Sequence, residues 1–279
     1  MIAMRALSLA YHTAPELAPL GAVRVAAQAG CTHVGMRLAG GAGGDALTPL
    51  AQDAAMRRAV LGALRDEGIG VLEASTVRLT PATDPAAFAP FCDAAAELGA
   101  RFALTNADDP EFARLADNLG RLCEAAAKVG LETHFEFVSW SAIPDLAAAL
   151  ELRRAVGHRK LKIALDALHF DRSRGVAAQI AAADPAAFGD FHICDAPRAE
   201  NPLREEQIHT AVHARLFPGD GALDLTGMLE ALPPDLPILI EVPTRELART
   251  TLAPARVSRA VAATRNVLAK CRTKLEAPI

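Results

Sequence analysis

The sequence predicts a closed barrel of eight parallel strands surrounded by helices, a (β/α)8 TIM barrel of the α/β class. Eight short apolar segments alternate with Ala-rich amphipathic stretches along the chain. Such alternation implies parallel strands joined by helical crossovers. The length of 279 residues suits one barrel of about 250 residues, so we expect residues 1–279 to form a single domain.

The predicted strands are the short apolar runs, and the predicted helices are the longer stretches between them. The strands lie at about 4–11, 33–38, 70–78, 101–106, 131–138, 161–167, 190–195 and 237–242. The helices lie at 17–30, 51–68, 85–99, 110–130, 143–157, 176–183, 224–232 and 254–271. Five of these helical patterns end in glycine, which favours the left-handed backbone at a helix C-terminus: Gly30, Gly68, Gly99, Gly130 and Gly157.

An open doubly wound sheet is the main alternative fold. No Gly-x-Gly-x-x-Gly follows the first strand, which weakens a dinucleotide-binding interpretation. The glycine-rich stretch Ala39–Gly44 follows the second strand and lacks the Lys-Ser/Thr of a phosphate-binding loop. We interpret it as a flexible loop between strand and helix.

Charge and hydropathy argue against two classes of partner. The net charge is −4 and no run of Lys and Arg is visible, so a nucleic-acid-binding surface is not expected. No window reaches about 18 uninterrupted apolar residues, so we expect no membrane span. The expected partner is a small-molecule substrate. A homo-oligomer formed through the outer helices is expected only by analogy with other barrels.

Cysteine usage and the N-terminus predict the compartment. The five cysteines are widely spread and form no Cys-x-x-Cys pair, which favours a reducing, cytoplasmic setting. The first twelve residues lack a long apolar region and a cleavage site, so no signal peptide is predicted.

Four residues near the ends of successive predicted strands are candidate metal ligands. Glu136, Asp166, His192 and Glu241 come from strands five, six, seven and eight. Active sites of TIM barrels lie at the C-terminal ends of the strands, and neighbouring strands are only about 5 Å apart. Three carboxylates and one imidazole suit one divalent cation, with Mn²⁺ or Mg²⁺ favoured and Co²⁺ or Zn²⁺ as alternatives.

Each of these residues also has an ordinary structural interpretation. A single Glu at a strand end is more often a cap or an ion-pair partner than a ligand, and a single His is often a satisfied polar residue. An unpaired buried carboxylate is costly, however, so four such positions at one end of a barrel favour a cation.

The same segments resemble the xylose-isomerase-like TIM-barrel superfamily of sugar phosphate isomerases and epimerases, and most closely its ketose 3-epimerases. Those enzymes have a metal-binding Glu on strand five, an Asp-x-x-His on strand six, a His followed six residues later by an Arg on strand seven, and a Glu on strand eight. The matching residues are Glu136, Asp166 with His169, His192 with Arg198, and Glu241. The resemblance is strongest from about residue 131 to residue 243.

The resemblance implies proton transfer next to a carbonyl group. Glu136 and Glu241 correspond to the acid/base pair of the family, and His169 and Arg198 to its substrate-binding residues. The set does not separate epimerisation, aldose–ketose isomerisation and dehydration. His12 and Trp140 lie where they are expected to line the pocket, although His12 also suits a surface position.

The long stretch 196–223 after strand seven has two interpretations. It carries several His and Arg side chains, and a loop of this length at the catalytic face is expected to cover the substrate. Alternatively, residues 203–215 form a helix whose charges are an ordinary solvated face.

Three other functions compete with the isomerase or epimerase. A lyase that dehydrates a keto-cyclitol or a dehydroshikimate-like acid would use the same site. An endonuclease resembling the abasic-site enzymes of this fold is disfavoured by the acidic balance. A non-catalytic metal- or sugar-binding protein would not depend on the acid/base function of Glu241.

Overall fold

The computed structural model describes residues 5–40 and 46–276 of the chain. Ten strands are present in this part: β1 (Leu7–Leu9), β2 (His33–Arg37), β3 (Ala39–Gly40), β4 (Ala46–Leu47), β5 (Gly70–Leu79), β6 (Phe102–Ala107), β7 (Glu132–Glu136), β8 (Leu161–Asp166), β9 (Phe188–Ile193) and β10 (Ile238–Ile240). Eight of them close a parallel barrel in the order β1-β10-β9-β8-β7-β6-β5-β2. The prediction of a (β/α)8 barrel is confirmed.

The helices follow the strands and surround the barrel. They are α1 (Pro19–Gln28), α2 (Pro49–Gln52), α3 (Ala54–Glu67), α4 (Phe88–Glu97), α5 (Phe112–Lys128), α6 (Leu146–Val156), α7 (Ala167–Arg172), α8 (Ala177–Ala182), α9 (Arg204–His213), α10 (Leu225–Ala231) and α11 (Ala253–Glu276). All five glycines predicted to end helices have φ between 65° and 90°. A residue with a Cβ is strained there, which explains why glycine occupies each position.

Helix α5 illustrates how the outer layer forms. The Glu111 carboxylate accepts hydrogen bonds from the backbone N–H groups of Ala113 and Arg114 and so caps the first turn. Leu115, Leu119 and Leu122 recur at helical spacing and are fully buried. The helix therefore presents one apolar face to the barrel.

The glycine-rich stretch after the second strand is only partly described. Strands β3 and β4 form a separate antiparallel pair at its two ends. Residues 41–45 lie outside the described residues, and with them most of the stretch interpreted as a flexible loop.

Side chains inside the barrel are of two kinds. An apolar cluster fills part of the interior: Ala10, Leu72, Phe102, Leu104, Ala164 and Leu239. Beside it, Ser8, Glu73, His134 and Asp190 are polar and almost completely buried. Barrel interiors are usually filled by branched apolar side chains, so these four polar residues are a departure that requires an explanation.

Two further expectations concern the surroundings of the barrel. All five cysteines are buried, as is usual for this residue type. Among the described residues, no helix combines the length and the apolar character needed to cross a membrane.

Candidate active site

The structure brings the four candidate ligands together at one end of the barrel. Glu136 and Asp166 are the last residues of β7 and β8, His192 lies in β9, and Glu241 directly follows β10. One ligand atom from each side chain lies within 4.8 Å of the ligand atoms of the other three, and all four residues are buried. The convergence arises because the carboxyl ends of parallel strands meet at one face of the barrel.

The imidazole of His192 is oriented by contacts on both ring nitrogens. Its Nδ1 lies 3.0 Å from Glu241 Oε2 and 3.3 Å from Glu136 Oε1. Its Nε2 lies 2.8 Å from Asp190 Oδ2. Nδ1 therefore faces the cluster of carboxylates, and Nε2 faces the barrel interior.

Asp166 explains the spacing of the Asp-x-x-His motif. Its Oδ1 accepts a hydrogen bond from the backbone N–H of His169 at 2.9 Å and so caps the first turn of α7. Its Oδ2 accepts a hydrogen bond from Arg215 Nη1 at 2.5 Å. One oxygen thus fixes the turn that carries His169, and the other faces the site.

The buried arginine of the site is Arg215 and not Arg198. Arg198 is exposed and is not among the described residues that line the cavity, whereas Arg215 is buried and lines it. The spacing of six residues after His192 pointed to Arg198, but the chain leaves the barrel there and returns only at residues 214–216. The backbone N–H of Arg215 donates a hydrogen bond to the carbonyl of Pro243, and that of Leu216 donates to the carbonyl of Asp195, so the returning segment is held in place. The sequence placed Arg215 among the charges of a long loop and contained no local signal for its burial.

A cavity of about 150 Å³ opens above the cluster. His12, Trp140 and His169 line it together with Glu136, His192 and Glu241, whereas Asp166 lies behind Arg215. His12 thus takes the pocket position of its two alternatives. The Trp140 ring meets the His169 ring edge to face, with centroids 4.9 Å apart.

Helix α9 covers one side of this cavity. Ala211, Val212 and Arg215 come from α9 and the residues that follow it, and all three line the cavity. The Ser139 hydroxyl donates a hydrogen bond to Gln207 Oε1 at 2.8 Å, which fastens the helix to the segment after β7. The stretch 196–223 therefore contains a helix, and that helix also covers the pocket.

The profile of the xylose isomerase-like TIM barrel family matches residues 23–267. The chain belongs to this family. The resemblance inferred from the strand-end residues is confirmed at the level of the family. No curated protein matches the sequence.

Several solved structures have the same fold as this chain at low sequence identity. The IolI protein with a bound zinc atom has a TM-score of 0.80 at 18% identity, over 96% of this chain and 99% of that chain. The D-allulose 3-epimerase from Methylomonas sp. has a TM-score of 0.69 at 16% identity, over 94% of this chain and 98% of that chain. The probable 3-DHS dehydratase AsbF from Bacillus anthracis has a TM-score of 0.74 at 15% identity, over 94% of this chain and 98% of that chain.

One similar structure is much longer than this chain. A fusion of a xylose isomerase-like TIM barrel with a 4-hydroxyphenylpyruvate dioxygenase gives a TM-score of 0.81 at 21% identity, over 98% of this chain. The chain spans 44% of the length of that fusion protein. The neighbours thus include an epimerase and a dehydratase built on the same barrel.

Opposite charges in the site hold two of its carboxylates, those of Glu241 and Asp166, ionised. Burial alone would raise the pKa of Glu241, but the charges of Arg215 and His192 hold it well below its usual value. The pKa of Asp166 is also lowered, since Arg215 and His169 outweigh its burial. Burial opposes the charged form of His192, but Asp190 and hydrogen bonds to Glu136 and Glu241 raise its pKa well above 6.5.

Burial holds three further groups around the cavity in their neutral form. Burial is the largest cause that lowers the pKa of His12 and of His169 below 6.5. Burial raises the pKa of Glu73, which also lines the cavity, to about 8. At neutral pH the cavity therefore presents two neutral imidazoles and one protonated carboxyl group beside the charged cluster.

The donor set of the cluster fits a divalent cation. Three carboxylates and a ring nitrogen converge within 4.8 Å. In the described part of the chain, the Arg215 guanidinium and a protonated His192 balance part of their negative charge. Oxygen-rich sites with one imidazole are typical of Mn²⁺, Mg²⁺ and Zn²⁺ centres. The four residues Glu136, Asp166, His192 and Glu241 could hold such an ion.

Proposed function

We propose that the chain is a divalent-metal-dependent isomerase or epimerase of a small hydroxy-carbonyl compound, sugar or sugar-like. The observation that carries the proposal is the pair Glu136 and Glu241, whose carboxylate oxygens lie 3.3 and 3.0 Å from His192 Nδ1 and which both line the open cavity. Two carboxylates beside a cation site suit the removal and return of a proton on a carbon next to a carbonyl group.

The cation would be held by Glu136, Asp166, His192 and Glu241, and when bound it polarises the substrate oxygens as a Lewis acid. Glu136 and Glu241 have the geometry for proton transfer, because both reach from the cluster to the cavity wall. His169 is neutral and donates or accepts a hydrogen bond at a substrate oxygen. Trp140 packs against His169 and excludes water from that side.

Arg215 fixes the charge of the site in this proposal. Its guanidinium lies 2.5 Å from Asp166 Oδ2 and 3.6 Å from Glu241 Oε2. It therefore keeps both carboxylates ionised and ready to bind a cation, the condition for metal ligation. Arg198 was expected to contact the substrate, but its exposed position gives it no part in this proposal.

The proposed cation is Mn²⁺ or Mg²⁺, with Co²⁺ or Zn²⁺ as alternatives, since the ligands are mainly oxygen atoms. We also propose that the chain works in the cytoplasm on a small molecule, that residues 1–279 form one domain, and that any self-association involves the outer helices.

Dehydration of a keto-cyclitol or a dehydroshikimate-like acid is the second candidate, and the basic residues of the cavity favour it. Arg78 lines the cavity beside Asn106, and its guanidinium donates a hydrogen bond to Asp108 Oδ2 at 2.7 Å. Together with Arg215 it offers positive charge to an anionic substrate. A carboxylate on the substrate would match these side chains better than an uncharged sugar.

The first test is the metal content and the Mn²⁺ affinity of the purified protein. Asp166→Ala and Glu241→Gln are compared with wild type, and Asp109→Asn is the control. Asp109 is also buried and ion-paired, with Arg114 at 2.5 Å, but it lies outside the cluster. We expect stoichiometric metal in wild type and in the control, and loss of metal in both cluster variants. A wild type that takes up no Mn²⁺ would overturn the proposal.

Product analysis separates the candidate functions. Ketoses and hydroxy-keto acids are incubated with the Mn²⁺-loaded protein, and the products are analysed by mass spectrometry and by NMR. An isomerase or epimerase leaves the mass unchanged, whereas a dehydratase removes one water. A non-catalytic binding protein would leave every substrate unchanged.

A further inference from the structure

A row of polar side chains runs through the barrel interior directly below the candidate metal site. Asp190 lies two residues before His192 on β9, and His134 lies two residues before Glu136 on β7. Side chains two apart on a strand point to the same face, so all four point into the barrel. Asp190 and His134 are at most 2% exposed. Burying such groups is costly unless they are paired.

Each of these polar side chains contacts the next one in the row. His192 Nε2 lies 2.8 Å from Asp190 Oδ2, and within the described residues neither atom has a hydrogen-bond partner, so each depends on this ion pair. The other Asp190 oxygen, Oδ1, accepts a hydrogen bond from His134 Nδ1 at 2.5 Å. His134 Nε2 lies 3.4 Å from Glu132 Oε2 near the opposite end of β7.

The ring of His134 is held on both sides. It stacks on Phe102 with centroids 3.6 Å apart and an interplanar angle of 13°. On another side it touches Gly189, where a Cβ would lie 2.4 Å from His134 Cε1. Gly189 is also the extra residue of a bulge, because Phe188 pairs with Ile163 and Asp190 with Ala164. The bulge turns Asp190 inward, and the missing side chain leaves room for His134.

We propose that Asp190 and His134 are positioning residues that hold His192 with its Nδ1 directed at the cation site. Asp190 holds Nε2, and His134 in turn holds Asp190. A buried carboxylate on the second ring nitrogen of a metal-binding histidine fixes the orientation of the ring and makes the ligating nitrogen more basic. This inference rests on the metal site of the proposed function.

The test measures the Mn²⁺ dissociation constant by competition with a chelator. Asp190→Leu keeps a similar volume but removes the contact with Nε2, and Asp190→Asn keeps an acceptor oxygen. We expect affinity to fall about 10- to 100-fold in Asp190→Leu and about three- to tenfold in Asp190→Asn. Gly189→Ala, which displaces His134 without touching a ligand, should also weaken binding several-fold. Asp109→Asn is the control and should match wild type.

A purely structural role gives a different result. It would lower the melting temperature of the metal-free variants but leave the dissociation constant of the folded protein at its wild-type value, and that outcome overturns the inference while the proposed function stands. No Mn²⁺ binding by wild type overturns both. If Asp190→Leu does not fold, the nearly isosteric Asp190→Asn decides, and an unchanged dissociation constant in that variant overturns the inference.

Discussion

Arg215 Nη1 lies 2.5 Å from Asp166 Oδ2, and both side chains are buried. The guanidinium also lies 3.6 Å from Glu241 Oε2, and its Nε donates a hydrogen bond to the carbonyl of Ala211 at 2.9 Å. A cation of the chain itself therefore partly balances two of the three carboxylates in the cluster. The same contacts attach the segment after α9 to the C-terminal ends of the barrel strands.

Arg215→Met is expected to destabilise the metal-free protein by about 3–5 kcal/mol, because it leaves buried carboxylates without their partner. The loss should be smaller with saturating Mn²⁺, since the ion supplies positive charge at the same place. Urea unfolding with chelator and with Mn²⁺ measures both values. Arg259→Met removes an exposed ion pair with Asp220 and should cost less than about 1 kcal/mol. Equal losses in the two variants would contradict the prediction.

Glu73→Gln is expected to change how stability depends on pH. Burial raises the pKa of Glu73 to about 8 from 4.5, so between these values the folded state holds a proton that the unfolded state releases. Wild-type stability from this group therefore falls as pH rises through that window, by about 1.4 kcal/mol per pH unit. Glutamine cannot ionise, so the free energy of unfolding of the variant should rise relative to that of wild type by several kcal/mol between about pH 5 and about pH 9.

Chemical denaturation of both proteins at several pH values in that window measures this difference. The comparison isolates Glu73, because its hydrogen bond from the Ser8 hydroxyl, 3.1 Å long, can also be accepted by the glutamine oxygen. Stability curves that run parallel across the window would show that Glu73 titrates at an ordinary pKa.

Asp195→Ala is expected to destabilise the protein by about 3 kcal/mol, because one carboxylate accepts hydrogen bonds from three backbone N–H groups. They belong to Ala196, Gly219 and Leu223, at 2.9, 2.9 and 3.0 Å. Asp224→Ala is the control, since Asp224 accepts from one N–H group, that of Gly227, and should cost about 1 kcal/mol. Urea unfolding compares the two, and a loss at Asp195 no larger than at Asp224 would refute the prediction.

Gln207→Leu is expected to loosen α9 over the cavity. The change removes the acceptor of the Ser139 hydroxyl, so local opening of residues 204–213 should become easier by about 1 kcal/mol. Amide hydrogen exchange in this helix should accelerate about fivefold, while exchange in the barrel strands stays constant. Gln179→Leu, which removes a capping contact on α8, serves as the control and should leave exchange in α9 unchanged.

Helix ends and strand positions were readable from the sequence because they depend on neighbouring residues. The glycine after a helix requires no information from the rest of the chain, and all five predicted stops have positive φ. The meeting of Glu136, Asp166, His192 and Glu241 was also predictable once a parallel barrel was inferred, since equivalent strand ends must share one face.

A bulge between β2 and β5 lies beyond this local information. Leu72 and Glu73 both face Gly35 of β2, because Val34 pairs with Val71 and Met36 with Ala74. A Cβ at Gly35 would lie 1.7 Å from Glu73 Oε1, so the glycine makes room for the carboxyl group. Strict alternation would have placed Leu72 and Glu73 on opposite faces.

The barrel and the meeting of the four candidate ligands at its C-terminal face were predictable from the sequence, because both follow from periodicity and from parallel pairing. Packing between distant segments buries Arg215 in the site and leaves Arg198 exposed, and it places Asp190 and His134 behind His192. The physical reason is distance along the chain. The path of the segment from residue 196 to residue 223 and the contact between β7 and β9 depend on residues far apart in sequence, whose packing no local pattern encodes.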